Sequence, residues 1–236
     1  MALTSRPLPL KLGLATLVLG LSLSLTPAVT AQAQEVVAAN CDNNAFPCLA
    51  GKARVVLETT RGSVTVELDG GAVPLTAGNF LDLVQRQVYD GTAFHRVIPG
   101  FVAQGGDPQS AASDVDPADY GKGNFIDPAS GSPRFIPIEL TLRGESPRYG
   151  HELRDPLISD KLVIRHERGS LGMARANNPN SASAQFYIAL GDLDQLDGRY
   201  AVFGRVVKGM DVVDSLVNGD RIRTARISPE QAISSE

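Results

Sequence analysis

The residues best suited to chemistry lie in one short stretch, FHRVIPGFVAQGGD at positions 94–107. It places an imidazole, a guanidinium and an amide (His95, Arg96 and Gln104) among large hydrophobic residues of a β-type run. The glycine pair before Asp107 indicates a turn, because glycine adopts backbone angles that other residues avoid. Arg96 is then either an exposed arginine on an edge strand, which is common, or a fixed cation at the wall of an apolar pocket.

Two further blocks accompany this stretch. GMARA at 172–176 precedes SAQFYI at 183–188, and LDQLDGRYAVFG follows at 193–204. The three blocks, in this order, resemble the signature of the cyclophilin-type peptidyl-prolyl cis/trans isomerases. The resemblance covers roughly residues 53–227 and is loose between 108 and 168. It implies a mainly β fold, a closed eight-stranded antiparallel β-barrel capped by two α-helices.

Composition sets bounds on partners and cofactors. The chain has 236 residues and 43% hydrophobic content, which suits one domain with extensions, and its 15 prolines and 23 glycines indicate many turns. A net charge of -4 gives no electrostatic footprint for nucleic acid, so we expect no nucleic-acid partner. The chain has only three histidines and two cysteines, and the histidines are not spaced as metal ligands usually are. We therefore expect neither a metal nor a cofactor.

Residues 1–33 are predicted to be a secretory signal peptide. Arg6 and Lys11 precede an apolar run at 12–25, and AQA at 31–33 offers small residues for cleavage. The run is shorter than the roughly 20 residues that span a bilayer, which disfavours a membrane anchor. We therefore expect an exported protein without a stable membrane anchor after cleavage, located in a periplasm, in a thylakoid-type lumen or outside the cell.

Residues 34–52 are predicted to be a linker that carries Cys41 and Cys48. Export permits disulfides, and the two cysteines lie close together in a polar, turn-prone segment, so a local disulfide is favoured. A redox switch is the alternative, but the spacing is not C-x-x-C. A disulfide that closes so short a loop would stabilise the main domain little.

The isomerase-like domain is expected at 53–227, followed by a polar tail at 228–236. Alternating apolar residues at 54–57 and 63–68 predict a β-hairpin, and the periodicity of 74–85 predicts a helix. These patterns alone indicate a mainly β chain.

The second half of the domain has weaker patterns. A second helix is predicted at 209–217, and strands at 135–140, 161–164 and 221–227. Residues 110–133 are rich in Asp, Gly, Ser and Pro and predict a loop. Its aspartates lack the glycine and glutamate of a helix–loop–helix calcium site, so a solvated loop is the better explanation.

The reaction that the resemblance implies suits Arg96. A prolyl peptide bond interconverts slowly because its C–N bond has double-bond character, with a barrier of about 18–20 kcal/mol. A donor aimed at the prolyl nitrogen localises the lone pair as the bond twists, so its effect is felt mainly at the twisted geometry. Arginine stays charged and presents its donors as a rigid fork. We therefore assign Arg96 as the catalytic residue.

The resemblance implies that the surrounding residues bind a proline-containing polypeptide. Gln104 and Gln185 would hold the guanidinium, and Ala174 and Arg175 would present backbone groups to an extended substrate. His95 is as well explained as a packed histidine bonded to the backbone as by a substrate contact. A last group would line the proline pocket, although core packing is the default explanation for apolar residues in strands. This group is Phe101, Val102, Tyr187, Leu196 and Tyr200.

Three positions depart from the common family pattern. Gln195 stands where many cyclophilins have tryptophan, which predicts weak binding of cyclosporin. Tyr200 stands where many have histidine, and an aromatic ring with a polar tip can replace it. Arg175 stands where asparagine is frequent, and it could add a charge contact to acidic substrates.

The sequence thus predicts an exported, monomeric isomerase of peptidyl-prolyl bonds that assists protein folding. The alternative is a cyclophilin-fold chaperone or assembly scaffold with negligible turnover, and the presence of Arg96, Gln104 and Phe101 favours the enzyme. An exported hydrolase is disfavoured because the chain has no G-x-S-x-G motif and both cysteines lie outside the domain.

Overall fold

The computed structural model describes residue 41, residues 46–155 and residues 157–228. The predicted signal peptide at 1–33 lies outside the described residues, as does the polar tail from residue 229 onward. In the described part, no helix is both long and apolar enough to cross a membrane.

The described chain is mainly β, with two α-helices and several short 3-10 turns. The helices are α1 (Pro74–Gln85) and α2 (Met210–Asp214). The strands are β1 (Lys52–Thr59), β2 (Gly62–Asp69), β3 (Arg96–Ile98), β4 (Val102–Gly105), β5 (Ile126–Asp127), β6 (Ser132–Pro133), β7 (Glu139–Leu140), β8 (Arg148–Tyr149), β9 (Ser170–Met173), β10 (Phe186–Ala189), β11 (Val202–Lys208) and β12 (Ile222–Ile227).

Eight of these strands form one curled antiparallel sheet in the order β12-β1-β2-β11-β9-β10-β4-β3. The chain before β3 approaches the start of β12, where Phe94 N–H donates to Asp220 O at 2.7 Å and Ile222 N–H donates to Thr92 O at 2.8 Å. Among the described residues, however, no ladder joins β3 to β12. The predicted eight-stranded antiparallel sheet is therefore observed, whereas its closure into a barrel is not established.

The β1–β2 hairpin forms one wall of the core. Side chains of a strand alternate between its two faces, and Val64, Val66 and Leu68 all point inward and are at most 1% exposed. Their neighbours across the hairpin, Val55 and Leu57, are fully buried. The period-two pattern thus predicted both the hairpin and its buried face correctly.

Helix α1 receives its N-terminal cap from a distant strand. Val73, which precedes Pro74, supplies no side-chain cap. The buried carboxylate of Glu139 instead accepts the N–H groups of Leu75 at 3.2 Å and Thr76 at 2.7 Å, and it also accepts the Tyr149 hydroxyl at 2.8 Å. Burial raises the pKa of Glu139, although these hydrogen bonds favour its ionised form. Glu139 therefore ties α1 to the β7–β8 hairpin.

The segment around the disulfide packs on the outside of α1. Cys41 and Cys48 are bonded, and their Cα atoms lie 5.6 Å apart. Leu49 N–H donates to Pro74 O at 3.0 Å. A Cβ atom added to Gly78 would lie 2.4 Å from the Cys48 Cα, so the helix needs glycine where this segment crosses it.

Gly78→Ala is expected to destabilise the protein by about 1–3 kcal/mol because the new methyl group overlaps the Cys48 backbone. At an uncrowded helix position the same substitution would instead stabilise the fold by about 1 kcal/mol. Urea denaturation measures the difference, and Gln85→Ala, at the exposed end of the same helix, is the control. A higher unfolding free energy for Gly78→Ala would contradict this packing.

The region 135–164 differs from its prediction. The strand predicted at 135–140 is limited to β7, because Ile136 and Ile138 donate their N–H groups to Ala182 O and Pro179 O rather than to a neighbouring strand. The strand predicted at 161–164 is also wrong. A 3-10 turn at Ser159–Lys161 leads into a single bridge between Leu142 and Leu162.

Helix α2 is shorter than its prediction of 209–217. It ends at Asp214, and the chain then turns at Asp220, whose N–H donates to Val217 O at 3.1 Å and whose carboxylate accepts the Val217 N–H at 2.8 Å. This turn competes with further helix, because the same Val217 backbone groups cannot serve both.

Candidate active site

The β3–β4 hairpin places the predicted catalytic residue. Arg96 lies directly opposite Gln104, and side chains at opposite positions of an antiparallel pair share one face. Gly100 closes the hairpin with φ 72°, a conformation that side-chain-bearing residues rarely adopt. The exposed Arg96 guanidinium lies over the Phe101 ring, with Cζ 5.5 Å from the ring centroid.

A cavity of about 180 Å³ opens beside this hairpin. Nine of the eleven predicted catalytic and substrate-binding residues line this cavity. They belong to β3, β4 and β10, to the turn between β3 and β4, and to the segments after β9 and before β11. They are Arg96, Phe101, Val102, Gln104, Ala174, Arg175, Tyr187, Leu196 and Tyr200.

The floor of the cavity is apolar and its rim carries the cation. Val102 and Tyr187 are 2% and 5% exposed and pack on Ala189 and Leu193 beneath them. Arg96 is exposed at the edge. An apolar slot with one charged donor at its mouth can hold a small aliphatic ring and reach a polar atom beside that ring.

The two glutamines differ from their prediction. Gln104 Nε2 donates to Gln185 Oε1 at 3.2 Å, and Gln185 Nε2 donates to Gly123 O at 2.9 Å. Within the described chain, neither amide hydrogen bonds to Arg96. Gln185 lies instead in an adjacent cavity of about 380 Å³, which it shares with Gln104. This amide chain fixes the Gln104 side chain at the strand position opposite Arg96.

Arg175 is committed to the protein itself. Its guanidinium pairs with Glu152, donates to Arg199 O at 3.1 Å and lies 4.8 Å from the Tyr200 ring centroid. Its side chain is only 5% exposed. The prediction that it adds a charge contact to acidic substrates is therefore wrong. Arg175 instead braces the Tyr200 wall of the cavity.

His95 lies behind the cavity wall rather than on it. Both of its ring nitrogens are buried and lack hydrogen-bond partners in the described structure, and a Cβ on Gly121 would lie 3.1 Å from its Nε2 atom. Burial lowers the pKa of His95, against a smaller opposing effect of Asp107. The imidazole is packed within the protein, and its contact with substrate stays a prediction.

A buried polar group behind Tyr187 was missed by sequence reasoning. The Tyr187 hydroxyl lies 2.8 Å from His166 Nε2, and His166 Nδ1 lies 2.7 Å from Asp197 Oδ1. The available signal was a tyrosine in an otherwise apolar strand, because a buried phenol hydroxyl needs a partner.

In the described ranges, no group of three His, Cys, Asp or Glu side chains is arranged to hold a metal ion.

Comparisons with known proteins identify the family of this chain. The sequence model of the family "cyclophilin type peptidyl-prolyl cis-trans isomerase/CLD" matches residues 54–235. A putative thylakoid lumen peptidyl-prolyl cis-trans isomerase of Synechocystis sp. is 36% identical over 193 residues, which cover 77% of this chain and 48% of the relative. A probable peptidyl-prolyl cis-trans isomerase of Brucella suis is 35% identical over 184 residues, with 76% and 79% covered. The chain thus spans about half the length of the Synechocystis relative.

A solved structure shares the fold. The cyclophilin type isomerase of Cryptosporidium parvum, crystallised in the presence of the dipeptide Ala-Pro, has a TM-score of 0.56 at 26% identity and covers 74% of this chain and 98% of its own. The curled eight-stranded antiparallel sheet with its two helices matches the cyclophilin fold of that structure. This chain belongs to the cyclophilin-type peptidyl-prolyl cis-trans isomerases.

Proposed function

We propose that this protein catalyses the cis/trans isomerisation of X-Pro bonds in proteins that fold after export, with Arg96 as its catalytic residue. One observation carries the proposal. The Arg96 guanidinium stands at the mouth of an apolar cavity and, within the described chain, has no hydrogen-bond acceptor of its own. Its donors are therefore available to a ligand in that cavity.

The mechanism uses no bond cleavage. Phe101, Val102 and the Tyr187 ring hold the proline ring by apolar contact, while the preceding carbonyl stays free to swing. As the C–N bond twists, the prolyl nitrogen becomes pyramidal and gains a localised lone pair. An Arg96 N–H donates to that lone pair, which lowers the energy of the twisted state relative to either planar isomer.

The remaining predicted residues act around this step. Leu196 and Tyr200 form the far wall of the slot, Gln104 lines the slot opposite Arg96, and the backbone at Ala174 and Arg175 guides an extended peptide. Gln185 supports Gln104. His95 packs behind β3 and contributes shape rather than proton transfer, since the reaction needs none.

The cellular setting is also a proposal. The relative from Synechocystis is described as a thylakoid lumen protein, which favours an exported or lumenal location for this chain. Cleavage after Ala33 would release a monomer without a membrane anchor, whose substrates are proline-containing polypeptides. The curled sheet is proposed to close into a barrel through the bonds that link residues 92–94 to 220–222.

Refolding of a small protein whose slow phase is limited by proline isomerisation tests the activity. The slow phase should accelerate in proportion to enzyme concentration, and the same refolding reaction without enzyme provides the uncatalysed rate. A slow phase that stays at the uncatalysed rate, together with tight binding of the unfolded client, would support the scaffold alternative instead.

N-terminal sequencing of the protein from the periplasmic or culture fraction of an expressing bacterium tests export. We expect the mature chain to begin after Ala33, because the AQA motif at 31–33 offers the small residues that signal peptidase requires. An exported protein that still begins at Met1 would contradict the signal-peptide prediction.

A further inference from the structure

We propose that His166 and Asp197 are positioning residues of the isomerase site. Together they hold the Tyr187 hydroxyl away from the cavity, so that the Tyr187 ring forms a fixed apolar floor for proline. This inference rests on the proposed function of the cavity.

The three side chains are buried, so their polar atoms depend on hydrogen-bond partners within the protein. The side chains of His166 and Asp197 are 0% exposed, and Tyr187 is 5% exposed. Asp197 Oδ1 accepts both the His166 backbone N–H, at 2.9 Å, and Nδ1 of the ring, at 2.7 Å. His166 Nε2 then lies 2.8 Å from the phenol oxygen. The phenol oxygen, both His166 ring nitrogens and Asp197 Oδ1 each have a partner inside the protein, whereas Asp197 Oδ2 is buried without one in the described structure.

The protonation states of Tyr187 and Asp197 indicate which atom donates in each hydrogen bond. Burial raises the pKa of Tyr187 well above its ordinary value, so the phenol keeps its proton. Burial opposes ionisation of Asp197, but the hydrogen bonds from His166 outweigh it and the pKa lies below its ordinary value. A carboxylate accepts from Nδ1–H, and in that tautomer Nε2 is the acceptor for the phenol O–H.

Neighbouring residues fix the phenol from other sides. The His166 ring stacks beside it at an interplanar angle of 12°, and Tyr200 meets it edge-on at 86°. A Cβ atom on Gly172 would lie 2.3 Å from the phenol oxygen, so glycine is required to make room for the hydroxyl. The ring therefore has one well-defined position under the slot.

Loss of the Nε2 acceptor would change the slot itself. A buried hydroxyl without a partner is unfavourable, and water that enters the cavity would offer a replacement. The ring would turn toward that water and bring a polar group into the space for proline. Removal of the hydroxyl avoids this cost, because a phenylalanine ring has no polar atom to satisfy.

A double-mutant cycle tests the inference. In the His166→Asn variant, the shorter side-chain amide would occupy the place of Nδ1 and keep the bond to Asp197, but it would not reach Tyr187. We expect about a tenfold loss of kcat/KM, mainly through KM. In the Tyr187→Phe background, which has no hydroxyl to hold, the same His166→Asn change should cause no further loss of kcat/KM.

Two outcomes would overturn the proposal. One is wild-type kcat/KM in His166→Asn, and the other is the same loss of kcat/KM in both the tyrosine and phenylalanine backgrounds, which would indicate a general structural role. If His166→Asn does not fold, His166→Gln replaces it. Its amide oxygen reaches the phenol, so it should keep activity within about threefold, and a tenfold loss would contradict the positioning role.

The affinity of each variant for a proline-containing peptide, measured by NMR titration, separates this inference from the proposed function. If the wild type binds the peptide without turnover, the catalytic proposal fails, while non-additive affinities in the cycle still support the positioning role. Additive affinities, or no peptide binding by any variant, would overturn it.

Discussion

Arg96→Ala should lower kcat/KM for peptidyl-prolyl isomerisation by about 10²–10³ and leave the free energy of unfolding unchanged. The loss is large because the variant removes the donor that acts on the twisted bond. The fold should tolerate it, since the side chain is exposed and its contact in the described structure is with the Phe101 ring. An isomerisation assay on a short X-Pro peptide gives kcat/KM, and urea denaturation gives the stability.

Two variants control this result. Arg96→Lys keeps the charge but loses the planar fork of donors, so its activity should lie closer to that of Arg96→Ala than to the wild type. Arg223→Ala removes an exposed arginine on β12, away from the cavity, and should keep full activity. Wild-type kcat/KM in Arg96→Ala would refute the assignment of Arg96.

Glu139→Ala should lower the free energy of unfolding by about 3 kcal/mol, the largest stability effect that we expect from a single substitution here. The substitution leaves the buried N–H groups of Leu75 and Thr76 and the Tyr149 hydroxyl without their acceptor. It also removes the cap of α1, for which Val73 offers no replacement. Urea denaturation followed by circular dichroism measures the loss.

Glu145→Ala is the matched control. Glu145 lies in the same β7–β8 hairpin region, but its side chain is 45% exposed and pairs with Arg148 three residues away. Such a surface ion pair contributes little to stability, so Glu145→Ala should change the free energy of unfolding by no more than about 0.5 kcal/mol. Equal losses in Glu139→Ala and Glu145→Ala would show that Glu139 does not cap the helix.

Sequence periodicity was sufficient to predict secondary structure where contacts between residues near in sequence determine it. The alternation of Val64, Val66 and Leu68 predicted the β1–β2 hairpin, and the periodicity of 74–85 predicted α1 with its observed bounds. The pattern was insufficient at 161–164, where the partners of the backbone lie about twenty residues away, at 141–143. Long-range pairing of that kind leaves no periodic signal.

In the candidate site, the sequence predicted which residues line the cavity but not which side chains they bond to. The residues that line the slot lie in three sequence blocks, and the structure brings these blocks together around one cavity. The partners of the side chains were not predictable. Arg175 pairs with Glu152 from a segment that the motifs do not cover, and Gln104 bonds to Gln185 rather than to Arg96. Glu139 and His166 escaped notice because a single buried polar residue shows its role only once its partners are placed.

The most direct test of the central claim measures the exchange rate of a proline-containing peptide while it is bound. Two-dimensional NMR exchange spectroscopy at saturating enzyme reports the cis/trans interconversion rate separately from affinity. We predict rapid interconversion on the wild type. On Arg96→Ala the same peptide should bind with similar affinity, because the apolar slot is intact, but interconvert close to its uncatalysed rate. Rapid interconversion on the bound Arg96→Ala variant would contradict the account.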